Sequence, residues 1–412
     1  MSSFWEPLYG RATRSLKPSP IREMLHLTRR PGIISFAGGM PDPAAFPVDA
    51  FREAANRILE EQGRDILQYG TTEGYPPLKS FLSSWTAPRM GKALAEDELL
   101  ITAGSTQVVD LLSWATIDPG DSIVCEEATF LGSTGTMRNH GASFITVPCD
   151  AEGMKVDLLP ALLEGAKEKG QKVKYIYTIP NFHNPLGCTL SLERRRLLVR
   201  IAQEWGIPIL EDDPYGYIRY DGEHLPTLFE LDDRGIVIYA GSFSKILAPG
   251  TRVGWAAGDR EIVRKMAVFK QAVDVCTSVV AQAQVYKYCE LGYLDAFLPK
   301  IIAHYRKKRD DFETAMRRFL PLEEVSWVKV LQLLVVNQLV DPGSEFRLHR
   351  QWFDHSAMDE LLGVDFAVAE KDRLYRCLDR VLVHKQELFL FLKDRWRNLF
   401  NARFDVLLYD LT

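Results

Sequence analysis

From about Glu98 the chain alternates short apolar runs with stretches of helical period, and this alternation restricts the fold more than any other feature. The runs are LLIT, SIVCEE, YIYTIP, IPILED and IVIYAGSFS, with a helix predicted from Thr106 after the first and further helices between the later ones. Strands separated by whole helices are joined by crossovers rather than hairpins, so the pattern predicts an α/β fold with a mostly parallel sheet flanked by helices. Helical periodicity continues from Arg260 to about Leu320, with breaks predicted near Gly292 and at Leu298-Pro299.

The flanks differ in character. Residues 1–48 are rich in Pro and Gly, end in FAGGMPDPAAFP, and read as an extended arm. After Trp327 the stretch VKVLQLLVVNQLVDPGSEF leads into short helical segments that end at DVLLYDLT. The expected organisation is an arm (1–48), a large domain (49–295), the start of an incomplete small domain (296–327) and an α-rich fragment (328–412).

Charge narrows the function classes. The 412 residues carry a formal net charge of −5 with acids and bases interspersed, which argues against nucleic acid or an anionic membrane as partner and favours small-molecule chemistry. Six cysteines form no C-x-x-C pair and have no ligand histidine at metal spacing, so neither a metal site nor a disulfide framework is expected. The N-terminus has no apolar h-region, and no apolar run approaches the ~20 residues of a membrane helix, which predicts a cytoplasmic protein.

The candidate chemistry centres on GSFSKILAPGTRVGW, residues 241–255. Lys245 is a candidate Schiff-base nucleophile, because burial and neighbouring cations lower an amine's pKa toward neutrality. Ser242, Ser244 and Arg252 around it suit a phosphate, although S-x-S-K by itself also describes a polar turn. In EDDPYGY, Asp212 and Tyr215 stand just past an apolar strand, at the carboxyl edge where open α/β sheets bind ligands. A carboxylate there can pair with a protonated pyridine nitrogen; the competing account is a helix cap or turn before Pro214.

Three further segments converge on the same chemistry. In TIPNFHNPLGCTLS, Asn184 can donate to a phenolic oxygen with Tyr215 as second donor, or the N-P and L-G steps are turn chemistry alone. In ITAGSTQ, residues Gly104, Ser105, Thr106 and Gln107 lead from a strand into a helix and aim backbone N–H groups at one point, as a phosphate cup does. Phe130 in EEATFLGS offers a flat face for a pyridine ring, where an ordinary core aromatic is the other reading.

Taken together and in this order, YGTTEGYPPLK, ITAGSTQ, ATFLGS, PNFHNPLG, EDDPYGY and the Lys245 segment resemble the fold-type-I, class I/II aminotransferases, in particular the 2-aminoadipate, kynurenine and aromatic enzymes. The resemblance implies pyridoxal 5′-phosphate (PLP) bound through Lys245, Asp212 on the ring nitrogen, Asn184 and Tyr215 on the phenolic oxygen and Phe130 stacked on the ring. Ser105, Thr106 or Gln107, with Ser242, Ser244 and Arg252, would hold the phosphate. It further implies a homodimer in which Tyr69 reaches the neighbouring subunit's phosphate, an amino acid and a 2-oxo acid such as 2-oxoglutarate as substrates, and a mobile arm containing Arg22 and Gly39 near the substrate, alongside Asn184.

The resemblance breaks late in the chain. The family's Val-Ser-Trp strand appears at 325–327, but its G-G-M-F-x-W stretch and the arginine that grips the substrate α-carboxylate have no counterpart. From about Val328 the text instead resembles the N-terminal part of a DDE insertion-sequence transposase, with Asp410 at the position of that family's first metal-binding carboxylate. One Asp cannot hold two metal ions, and 12 Lys+Arg against 13 Asp+Glu over 328–412 gives no basic DNA-binding face. The expectation is an aminotransferase impaired by loss of its small domain, or a non-catalytic PLP-binding product of a disrupted gene. A regulator would need a helix-turn-helix domain before the arm, where none is read, and a β-lyase or decarboxylase would use the same cofactor residues.

Overall fold

A computed structural model describes residues 4–10, 39–319, 329–334, 371–383 and 387. These fall into two compact units, one spanning Phe46–Lys307 and the other taking in residues up to Ala45 and from Lys308 onward. In the second unit the Lys308 ammonium pairs with the Asp42 carboxylate at 2.9 Å. Its described helical segments include the 3-10 turns Glu6–Leu8 and Pro43–Ala45, residues 308–319, residues 329–334 and Lys371–Val383. Arg22, Asp410 and most of the 328–412 segment lie outside the described residues.

The first unit begins with helices α1 (Val48–Ile66) and α2 (Pro76–Met90) and then enters the alternation. Strand β1 (Leu99–Thr102) leads into α3 (Ser105–Thr116), β2 (Ser122–Glu126) into α4 (Leu131–Asn139), and β3 (Ser143–Val147) follows. A short hairpin, β4 (Cys149–Asp150) and β5 (Gly153–Met154), precedes α5 (Leu159–Glu168). Then come β6 (Val173–Thr178), α6 (Leu192–Trp205), β7 (Ile209–Asp212), α7 (Leu228–Leu231), β8 (Val237–Ser242) and β9 (Gly254–Ala257). Helices α8 (Arg260–Asp274), α9 (Val279–Glu290) and α10 (Tyr293–Phe319) close the series.

Seven strands form one sheet in the order β1-β9-β8-β7-β6-β2-β3. All neighbouring pairs are parallel except those made by β9, which runs antiparallel to both β1 and β8. The sheet is covered on both faces, which is why its central strands are apolar throughout rather than alternating with polar residues. Ile123, Tyr175, Tyr177, Leu210 and Ile238 pack on one face with Val108, Leu112, Val263 and Met266 of α3 and α8. Their chain neighbours Val124, Ile176, Ile209 and Val237 pack on the other with Leu163, Leu198 and Ala202 of α5 and α6.

Local chemistry sets the helix ends. Ser191, Asp259 and Ser278 accept backbone N–H bonds at the starts of α6, α8 and α9, and Gly206, at φ 64°, ends α6 in the left-handed region open to glycine. The break predicted near Gly292 is present between α9 and α10. The break predicted at Leu298-Pro299 is not: Pro299 lies within α10, so tertiary packing holds a helix across a residue that cannot donate its own backbone bond.

Candidate active site

Because β1, β2, β6, β7 and β8 all point the same way, their carboxyl ends Thr102, Glu126, Thr178, Asp212 and Ser242 lie along one edge of the sheet. Antiparallel β9 begins at that edge, with Gly254 opposite both Thr102 and Ser242. The connection 243–253 therefore leaves and re-enters the sheet at one place, carrying Lys245 and Arg252 with it. Backbone bonds from Phe243 N to Val253 O (3.0 Å) and from Leu247 N to Phe243 O (2.9 Å) hold it folded. Lys245 is half-buried, and burial pulls its amine below the ordinary lysine range.

A cradle of small residues and hydroxyls surrounds the start of α3. Gly104 precedes the helix at φ 85°, which strains any other residue, and a β-carbon there would meet the Arg252 guanidinium at 2.5 Å and push it aside. Arg252, itself in the left-handed region at φ 49°, donates to Ala103 O at 2.7 Å and to Ser244 Oγ at 3.5 Å. Ser242 Oγ and Ser244 Oγ are 2.9 Å apart. Ser105 is half-buried and Thr106 exposed at the helix N-terminus. Gln107 is turned inward instead: its amide accepts from Ala103 N and donates to Asp274. Its side chain thus braces the cradle, and its backbone N–H donates to Gly104 O at 3.1 Å.

The two acids of EDDPYGY separate cleanly. Asp213 is fully engaged, accepting from Arg89 Nη2 (2.7 Å), Tyr239 OH (3.0 Å), Asn181 Nδ2 (2.9 Å) and Gly216 N (3.0 Å). Asp212 is buried too, but only Oδ2 is bonded, by the Tyr177 hydroxyl at 2.9 Å. Its Oδ1 has no hydrogen-bond partner among the described residues. Burial pushes the Asp212 carboxyl up to about 6, opposed by the hydroxyls of Tyr177 and Ser105 and reinforced by the Asp213 charge. An unsatisfied buried carboxylate oxygen is costly unless a donor reaches it, and a protonated pyridine nitrogen is such a donor.

The other expected residues stand on the loops of the same edge. Asn184 Nδ2 donates to the Tyr215 hydroxyl at 3.4 Å, so the two predicted phenol-oxygen donors meet, across a cis Asn184-Pro185 peptide. Phe130 caps the start of α4 and is 37% exposed. Tyr69 is 81% exposed in the loop between α1 and α2. Gly39 belongs to the second unit, is exposed, and has φ 49°.

Several polar residues of the site are not singled out by sequence reading. Tyr177 and Ser133 link to Asp212 through a chain of hydroxyls: Ser133 Oγ lies 2.9 Å from Tyr177 OH, which bonds Asp212. A polar tip on a core-facing strand tyrosine is the only signal for Tyr177 in the sequence. Glu126 and His183, both buried, lie 3.5 Å apart beside the Asn184 loop.

The geometry suits PLP on three counts: an open buried carboxylate oxygen, a glycine-lined cradle with a cation, and a pair of amide and phenol donors. The family comparison agrees, since the sequence model of Aminotransferase class I and II matches residues 32–329. The chain belongs to this family of PLP-dependent aminotransferases. It is 41% identical to aromatic-amino-acid aminotransferase 1 of Thermococcus litoralis over 325 residues, 79% of this chain and 78% of that protein. It is 38% identical to the 2-aminoadipate transaminase of Thermus thermophilus, over 77% of this chain and 78% of that one. The crystal structure of Pyrococcus horikoshii kynurenine aminotransferase, a complex with PMP, superposes with a TM-score of 0.74 at 36% identity, covering 81% of this chain and 87% of that one. It is an aminotransferase of the aromatic, aminoadipate and kynurenine type, a class of PLP-dependent enzymes whose substrates are amino acids and 2-oxo acids. No helix among the described residues is long and apolar enough to cross a membrane.

Proposed function

We propose that the Lys245 edge of this aminotransferase binds PLP and moves an amino group from 2-aminoadipate or an aromatic amino acid to a 2-oxo acid such as 2-oxoglutarate. The observation that carries the assignment is the unbonded Oδ1 of buried Asp212, beside a satisfied Asp213. Bound PLP supplies an electron sink for the pair released when the substrate Cα–H bond breaks. Asp212 would keep the proton on the ring nitrogen, and Asn184 and Tyr215 would donate to the phenolic oxygen. Phe130 would lie against the ring. Ser105, Thr106, Gln107 (through backbone), Ser242, Ser244 and Arg252 would fix the phosphate. Lys245 would hold the cofactor at rest and carry the proton from the substrate carbon during turnover; its lowered amine pKa suits both tasks.

The same reading makes the enzyme a cytoplasmic homodimer in which exposed Tyr69 reaches the partner's phosphate, with Arg22 and Gly39 of an arm over the substrate. It divides the chain into arm 1–48, large domain 49–295, small-domain start 296–327 and a transposase-like fragment 328–412. The family match ends at residue 329, close to the last of these bounds, and this favours a second reading, a PLP-binding chain with little or no turnover, because the family's carboxylate-binding arginine has no counterpart after that point.

The test is to add PLP to the purified chain and to a Lys245→Ala variant, reduce both with borohydride, and map the fixed cofactor by mass spectrometry. Label on Lys245 that is lost in the variant supports the site, and absence of label in the parent chain refutes it. Amino acids added before reduction then separate the two readings: conversion of bound cofactor to its amine form at the rate of a complete homologue eliminates the non-catalytic one.

A further inference from the structure

Glu126 is a buried carboxylate that nothing in the reaction uses, yet its two oxygens gather three separate segments of the site. Oε1 accepts from Thr178 Oγ1 at 2.5 Å and from Ile179 N at 3.2 Å, at the end of β6. Oε2 accepts from Thr129 Oγ1 at 3.4 Å, one residue before Phe130, and stands 3.5 Å from His183 Nε2, one residue before Asn184. Both side chains are almost wholly shielded, His183 at 3% and Glu126 at 2% exposure. The His183 backbone also closes its own loop, donating to Cys188 O at 2.8 Å and accepting from Gly187 N at 2.5 Å.

A buried carboxylate is expensive unless charge or donors compensate it, so a site of this kind persists where it fixes geometry. Burial raises the Glu126 carboxyl, but His183 and the Thr178 hydroxyl outweigh it and hold the group below the ordinary range. An ionised Glu126 therefore has every reason to keep all its partners. Those partners lead directly to the residue with the aromatic face and the residue with the amide donor.

We infer that Glu126 and His183 are positioning residues that hold Phe130 and Asn184 in fixed register with each other around the cofactor ring. This rests on the PLP reading for its function, while the tie itself is a property of the cofactor-free chain. Glu126 touches neither substrate nor cofactor; it acts through Thr129 and His183.

The experiment compares the full-length chain with Glu126→Gln, Thr129→Val and His183→Gln. In the cofactor-free proteins, hydrogen exchange of peptides covering residues 127–133 and 181–188 is measured. Glu126→Gln is expected to speed exchange in both segments together and Thr129→Val in the first alone. His183→Gln, whose amide can still donate to the carboxylate, should stay near the parent in both. If Glu126→Gln leaves either segment unchanged, the shared tie is refuted, whatever PLP does. If Glu126→Gln does not fold, the Thr129 and His183 variants decide the same question, and a Thr129→Val chain with unaltered exchange overturns it.

With PLP bound through Lys245, the visible absorption gives a second readout. A displaced Asn184 donates less well to the phenolic oxygen, which leaves more negative charge there and holds the proton on the lysine-bound nitrogen to higher pH. The pH midpoint of the colour change should rise by about one unit in Glu126→Gln, the scale of one hydrogen bond. A destabilised but correctly arranged site would lower the melting temperature without moving that midpoint, and this result would overturn the positioning role. A parent chain that takes up no PLP defeats the proposed function but leaves the exchange test to judge the tie.

Discussion

Replacing Asp212 with Asn should make the cofactor-free protein harder to unfold at alkaline pH even as it ruins the cofactor site. Burial lifts the Asp212 carboxyl from its ordinary 3.8 to about 6, so the folded chain binds this proton more tightly than the unfolded chain does. The sign follows from linkage: this group's contribution to stability is complete below the unfolded value and is lost as pH rises through the folded one. A shift of about two units corresponds to about 3 kcal/mol in all, of which about 2 kcal/mol falls between about pH 4.5 and about pH 8. Asn does not titrate, so any constant cost of its amide cancels when the two proteins are compared across pH. Urea unfolding of both apoproteins over that range should show the variant gaining on the parent by about 2 kcal/mol toward pH 8. Parallel curves would refute the claim that burial of the carboxylate outweighs the hydroxyls that donate to it. Saturating PLP should reverse the order at pH 8, because a ligand stabilises the form that binds it and only Asp212 offers the ring nitrogen a charge.

The neighbouring acid should behave in the opposite way: Asp213→Ala strands buried Arg89 and should cost about 3–5 kcal/mol at neutral pH in the same unfolding assay. Gly104→Ala sets a β-carbon against the Arg252 guanidinium, and the resulting loss of a charged hydrogen bond to phosphate should weaken PLP binding by about 10- to 100-fold in a fluorescence titration. Tyr177→Phe removes the hydroxyl that donates to Asp212 Oδ2, so the carboxyl should rise further and PLP affinity at pH 7 fall by about tenfold, with a smaller loss at higher pH where the carboxylate is ionised regardless.

Much of the site was legible because strand-to-helix transitions leave local marks. Small residues and hydroxyls at Gly104-Ser105, the Ser242-Ser244-Lys245 cluster and the Asn184-Pro185 loop each follow an apolar strand, and the structure sets all of them along one sheet edge. The motif order and the family resemblance put Asp212 rather than Asp213 on the ring nitrogen, and the physical reason for that choice is visible only in three dimensions. Asp213 is consumed by Arg89, Asn181 and Tyr239, which come from three distant segments, and nothing in the local text of Asp212 announces that its Oδ1 stays open.

Two strands of the sheet carry only a weak mark in the sequence. SFITV sits at the sheet edge, half exposed, and GWAA is antiparallel and built of small residues beside Gly241, where a β-carbon would strike Trp255. Pro299 shows the converse, a local breaker overridden by a helix that continues through it.

The sequence by itself determined the α/β alternation, the covered parallel sheet and the lysine, arginine and glycine positions of the cradle, because periodicity and turn chemistry act between residues close in the chain. Only the tertiary structure decided which buried polar groups are satisfied. Polar partners such as Tyr177 with Asp212, which hydrogen-bond, or Glu126 and His183, which stand 3.5 Å apart, lie dozens of residues apart in the chain and meet only when neighbouring strands pair.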